Sequence, residues 1–136
     1  MNLSEEKFQL LANNGQVTDA RKGGLVLGKS HEQGGIYILI KNDSGGYSVE
    51  GEMEGWEYVL SREATKRNSY RIKEINESNE LDHSKFKEYN IPLGITILDL
   101  RGKIFQLLYF EKGQSIINKM SSKYSLQELE EINKIK

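Results

Sequence analysis

The 136-residue chain has no cysteine and a single proline. Disulfides and thiolate metal centres are therefore excluded. No apolar run approaches the roughly 20 residues that a membrane-spanning helix needs. Neither charge is in excess: 19 Lys and Arg stand against 20 Asp and Glu, a formal net charge of −1. Bulk attraction to nucleic acid has no basis in that balance, so only a local basic patch could supply it. The first residues, MNLSEEKFQLLANNG, are acidic and polar, unlike a secretory leader or a basic targeting segment. The expectation is a protein made and kept in a reducing cytosol or packaged from one, neither secreted by a signal peptide nor transmembrane.

What is present is ordinary globular material, 37% hydrophobic and 29% charged. The length suits one domain over residues 1–136. Such a domain buries roughly two-thirds of its unfolded surface and needs no staple.

LSEEKFQLLANNG reads as a short helix. Ser4 is its N-cap, Glu5 and Glu6 suit the first turn, and Asn-Asn-Gly stops it. From Gly23 to Leu60 the texture changes, and most of the 13 glycines fall there. The apolar runs LVL, IYILI, YSV and YVL lie between glycines and other turn formers, which reads as three or four short antiparallel strands. SREATKRNSYRIKEINESNE follows as one helix capped by Ser61. LDHSKFKEYN is a polar connection or a short helix, and Pro92 marks a break. GITILDL reads as a strand. IFQLLYF has strand composition but could run on as a helix through QSIINKM. SLQE, Ser125 to Glu128, has the capping-box pattern, and Leu126, Leu129, Ile132 and Ile135 recur at helical spacing behind it. No internal repeat is evident. The expected fold is α+β: a small Gly-rich antiparallel unit, flanking helices and a C-terminal helix.

GGLVLGKS, Gly23 to Ser30, fits the phosphate-loop pattern G-x-x-x-x-G-K-[ST], in which backbone N–H groups wrap phosphates and the hydroxyl holds magnesium. Its context fails. VTDARK before it is too polar for a buried parallel strand, and GLVL is itself strand-like. HEQGG after it cannot start a helix. No nucleotide, cofactor or metal is assigned to the chain.

The same glycines carry a different likeness. Gly23, Gly24, Leu25, Leu27, Gly28, Ser30, His31, Gly34, Gly35 and Ile36 follow the pattern G-G-x-[LI]-x-G-x-S-H-x-x-G-G-[IV]. Glu54, Gly55, Glu57, Val59 and Leu60 follow a second pattern, E-G-G-E-x-[VI]-[IL], with a helix after it. Together they resemble a module of bacteriophage tail and other virion-associated proteins, also present in large polyvalent proteins of phages and mobile elements. The resemblance covers residues 22–78. It implies a non-enzymatic, virion-associated or packaged protein that works through protein–protein contacts, as a homo-oligomer or with virion components. It transfers no chemical activity. One position departs: the second glycine of E-G-G-E is Trp56, which would be strained if the turn needs positive φ.

Several residues admit both a chemical and a structural reading. Ser30 and His31 could serve a small hydrolase together with the carboxylates from Glu50 to Glu57, of which Glu54 and Glu57 are the strongest candidates. The structural reading is that Ser30 and His31 close a turn by side-chain-to-backbone bonds. Glu50, Glu52 and Glu54 alternate, so a strand would place them on one side, as a cation site or as a charged, protected edge. Arg62, Lys66, Arg67 and Arg71 could meet phosphates from one helix, or be a solvated face. Gly24, Gly28, Gly34, Gly35 and Gly55 are expected to form turns. Trp56, Tyr58, Leu126, Leu129 and Ile132 are the candidate assembly contacts, and Tyr37, Tyr47 and Tyr70 would join them if exposed.

Overall fold

The computed structural model describes residues 2–77 and 91–134. Its elements run β1 (Asn2–Leu3), α1 (Glu5–Asn13), β2 (Val17–Asp19), β3 (Gly24–Leu27), a 3-10 turn (His31–Gln33), β4 (Ile36–Lys41), β5 (Tyr47–Met53), β6 (Tyr58–Leu60), α2 (Arg62–Arg67), α3 (Ser69–Asn76), β7 (Ile97–Asp99), β8 (Leu107–Phe110), β9 (Ser115–Ile117), α4 (Lys119–Tyr124) and α5 (Leu126–Lys134). The fold is α+β. LDHSKFKEYN, His83 and Ile135 lie outside the described residues.

The strands form two mixed sheets, not one antiparallel unit. The first has the order β1-β5-β4-β8-β2 and the second β7-β3-β6-β9. The strands read from the Gly-rich segment are divided between them, β4 and β5 in the first and β3 and β6 in the second. Each sheet also takes a strand from the C-terminal half in parallel, β8 beside β4 and β7 beside β3. Strand composition identified the strands but carried no information on these distant partners.

Alternation along the strands explains the layers. Ile36 and Ile38 of β4, Val26 of β3, Val59 of β6, and Leu108 and Phe110 of β8 meet between the sheets. Leu39 of β4 and Leu107 of β8 face outward to α1, where they pack with Leu3, Phe8 and Tyr47. There Phe8 stacks on Tyr47 with ring centroids 3.7 Å apart. Leu25, Leu27, Tyr58 and Leu60 face the other way, onto Ala64, Ile72, Ile75, Leu126, Leu129 and Ile132 of α2, α3 and α5. The order is helix, sheet, sheet, helices. Central strands such as β3 are covered on both faces, so runs such as GLVL are apolar throughout.

The helix ends follow from their sequence. Ser4 and Ser61 cap α1 and α2 by accepting from the N–H of Lys7 and Ala64 at 3.1 Å each. The helix expected from Ser61 onward is broken at Asn68, whose side chain donates to the Ala64 carbonyl at 3.2 Å. Asn thereby competes with the helical ladder. The capping box at Ser125 does not form. Ser125 ends α4, and Glu128 turns instead to Arg71, at 2.6 and 2.7 Å. Of IFQLLYF, Leu107–Phe110 forms the strand β8, with Ile104 to Gln106 ahead of it, and QSIINKM supplies β9 followed by the start of α4.

One repeat escaped the sequence reading. β2 and β7 end in the same turn, Asp19-Ala20-Arg21 and Asp99-Leu100-Arg101. In each, the aspartate accepts from the backbone N–H of the arginine two residues on, at 3.0 Å. The arginine side chain closes on the same carboxylate at 2.7 to 3.0 Å. The Arg101 guanidinium and backbone N–H hold the Asp99 carboxyl down at about 2. The residue between is fully buried among the inter-sheet side chains. Its N–H bonds to the neighbouring parallel strand, Ala20 to Tyr109 O and Leu100 to Leu27 O.

Candidate functional site

The two halves of the glycine motif meet face to face. Ser30 accepts from the Gln33 N–H at 3.3 Å, and the Gln33 side chain accepts from the Ser30 N–H at 3.0 Å. This is a reciprocal capping box around the His31–Gln33 turn. The S-x-x-Q spacing was the sequence signal for it. The His31 N–H donates to Glu54 at 3.1 Å, and the His31 ring Nδ1 lies 2.8 Å from Glu52 Oε1. That bond raises the imidazole pKa. The Glu54 N–H in turn donates to Glu57 at 2.8 Å, and desolvation pushes the Glu57 carboxyl up.

The glycines make this approach possible. Gly34 and Gly35 turn the chain at φ +114° and +74°. A Cβ on Gly35 would collide with the Glu52 carboxylate. Gly55 lies against Gly28, where a Cβ would come within 2.5 Å of the Gly28 carbonyl oxygen. Gly55 stands in the turn ahead of Trp56 and Gly28 at a bend, neither at positive φ, whereas Gly24 opens β3 at φ +140°. Their lack of a side chain matters for close approach. Trp56 follows with φ +71°, the single non-glycine residue at positive φ among the described residues. Its N–H donates to Val26 O at 2.7 Å.

This geometry weighs on each chemical reading. The phosphate-loop donors are engaged within the chain: the Lys29 N–H bonds Gln106 at 2.7 Å, and those of Ser30 and His31 bond Gln33 and Glu54. The Ser30 hydroxyl serves the cap. His31 meets Glu52, as a general base would meet an orienting carboxylate, but its side chain is 51% exposed and stands on a turn. The carboxylates do not share one strand face. A bulge leaves Glu50 as the extra residue opposite Ile38 and Leu39, and Glu54 lies beyond the end of β5. Among the described residues no group of three His, Asp or Glu is placed to hold a metal ion.

The basic helix is not a uniform stripe. The break at Asn68 separates Arg62, Lys66 and Arg67 from Arg71. Arg62 lies 3.7 Å from Glu63 and 3.9 Å from Glu111. Arg71 makes a two-pronged bond to Glu128. The proposed assembly residues are also relocated. Tyr58, Leu126, Leu129 and Ile132 are core residues of this chain, so the C-terminal helix docks on its own sheet. The Tyr58 hydroxyl donates to the buried Glu130 carboxylate, which also accepts from the Thr96 N–H and hydroxyl at 3.0 and 2.9 Å. Trp56 packs half-buried against the same cluster, with the Lys123 ammonium 5.5 Å from its ring centre.

The exposed apolar surface lies elsewhere. Beside α1, a groove of about 400 Å³ is lined by Leu3, Lys7, Leu11, Tyr37, Phe105 and Leu107. Tyr37 and Leu107 are register partners on the outer face of the first sheet. Phe105 is 53% exposed and its neighbour Ile104 74%. Of these residues only Tyr37 had a sequence-level claim as a contact anchor. Ile104 and Phe105 were hidden in a run that read as strand. No helix among the described residues is long and apolar enough to cross a membrane. No family model, curated protein or solved structure matches the chain.

Proposed function

We propose that the chain is a non-enzymatic assembly protein that works through apolar protein–protein contact, in a virion or in the host cytoplasm, as its glycine motif suggests. The observation that carries this reading is the groove beside α1 with its projecting Ile104 and Phe105. An exposed apolar centre rimmed by polar side chains is the usual form of a contact surface. The hydrolase reading is weaker, because Ser30 is committed to a cap and the His31 side chain stands half exposed on a turn. The nucleic-acid reading is weaker too, because carboxylates meet Arg62 and Arg71.

The test is the solution mass of the purified protein, alone and mixed with the products of neighbouring genes, for the parent and for Phe105→Asp. Phe105 is half exposed, so the variant should melt with the parent. Association that Phe105→Asp abolishes supports the reading. A protein that stays monomeric in every mixture, or a complex indifferent to Phe105→Asp, overturns it.

A further inference from the structure

We infer that the occupant of the groove is a second copy of the same chain, docked about a two-fold axis. This rests on the contact reading above and names its partner. The groove has a helical wall, Lys7 and Leu11 of α1, and a strand wall, Tyr37 of β4 and Leu107 of β8. Phe105 lines the groove and Ile104, next in the chain, projects beside it at 74% exposure. A hollow and a projection of matching apolar chemistry therefore lie side by side on one face. A two-fold contact is self-complementary: what residue i of one copy does to residue j of the other is done in return. Each Ile104–Phe105 pair enters the hollow of the opposite copy, and both apolar features are covered in one step.

The charges fit the same occupant. Lys7 is the groove's cation, on the helical wall. Glu52 stands opposite Tyr37 in the β4–β5 register, on the same face of the sheet as the strand wall. Its carboxylate is held by His31 at 2.8 Å, and 39% of its side chain stays exposed. A two-fold axis running along the groove turns the helical wall of one copy toward the strand wall of the other, and so Lys7 toward Glu52. A net charge of −1 adds no appreciable repulsion between copies. Beyond Ser48, where β1 no longer pairs with it, a contact along β5 would instead set glutamate against glutamate, because Glu50 and Glu52 are exposed there.

The test uses the purified full chain. Sedimentation velocity up to roughly 100 μM would saturate a contact of micromolar Kd. The parent is expected to sediment as a dimer. Ile104→Asp and Phe105→Asp are expected to sediment as monomers at least tenfold above the parent's Kd, with unchanged melting temperatures. Because the chain has no cysteine, single thiols report the geometry. Ile104→Cys mixed with Lys7→Cys should give a mixed disulfide on mild oxidation, joining the projection of one copy to the hollow of the other. A monomeric parent at every concentration overturns the inference, as does a dimer that survives Ile104→Asp or the absence of the mixed disulfide. A monomer that still binds another protein through Phe105 leaves the contact reading standing and removes only the second copy as occupant.

Discussion

Trp56 sits where the pattern E-G-G-E has its second glycine, and its backbone at φ +71° gives that exchange a measurable consequence. An L-residue in the left-handed region costs about 1–2 kcal/mol relative to its preferred conformations. The indole offsets this by packing. It is half-buried against the cluster around Leu25 and Tyr58, and Lys123 stands over its ring at 5.5 Å. Full burial of a large apolar side chain contributes about 1.5–3 kcal/mol, so half of that, with a cation–π contact of about 0.5 kcal/mol, comes to roughly 2 kcal/mol. Trp56→Ala discards the packing and keeps the strain, so it should lose about 2 kcal/mol. Trp56→Gly discards the same packing but releases the strain, and should fall only about 1 kcal/mol below the parent. The expected order places glycine above alanine by about 1 kcal/mol, the reverse of the usual preference in helices and strands. Urea unfolding with an unchanged m-value would measure it. If alanine equals or exceeds glycine, Trp56 is not strained and the turn has been misread.

Three further outcomes follow from the same structure. Gly35→Ala should destabilise more than Gly34→Ala. Both have positive φ, but only the Gly35 Cβ meets the Glu52 carboxylate, while the space around Gly34 is open; paired urea midpoints would show the ranking. Glu130→Ala should cost about 3 kcal/mol in urea unfolding, because it leaves the Tyr58 hydroxyl and the Thr96 N–H without their buried acceptor. The His31–Glu52 bond raises the His31 pKa above the ordinary histidine value of about 6.5. Its contribution is then complete below that value and is lost as pH rises through the higher folded-state pKa. The parent's melting temperature should therefore fall over that window relative to His31→Gln, and parallel pH profiles would show that the bond does not contribute.

Local chemistry was legible in the chain, and long-range pairing was not. Ser4 and Ser61 announced their helices because a cap is read within four residues. The strands of the Gly-rich segment were visible because β-branched and aromatic runs stood between turn formers. Their assignment to two sheets was not, because Val17 pairs with Leu107 and Leu25 with Ile97. Nothing local to either partner encodes such a match. Doubly covered strands such as β3 are apolar on both faces and lack the alternation that would show which side faces which layer. The groove was illegible for a related reason. Leu11, Tyr37 and Leu107 are unremarkable in their own elements, and they become a surface only where α1 stops short of covering the outer face of the sheet.

The glycine motif and the groove share one row of the first sheet, and on the proposed contact reading this gives the motif a role without chemistry. Gly28 and Gly55 let the two motif halves approach until the His31 turn is bonded by both Glu52 and Glu54. Glu52 stands directly across from Tyr37, and Tyr37 across from Leu107. The row from Glu52 through Tyr37 to Leu107 thus links the bonded turn on one side to the apolar wall on the other. The Lys29 N–H and the Leu100 carbonyl are tied to the buried Gln106 side chain, which fixes the chain immediately after Phe105. A docking surface gains affinity when its anchors are held before the partner arrives, because less side-chain and loop freedom is lost on binding. The motif supplies that stiffness. On the proposed contact reading, its glycines, His31 and glutamates hold the turn that flanks Tyr37.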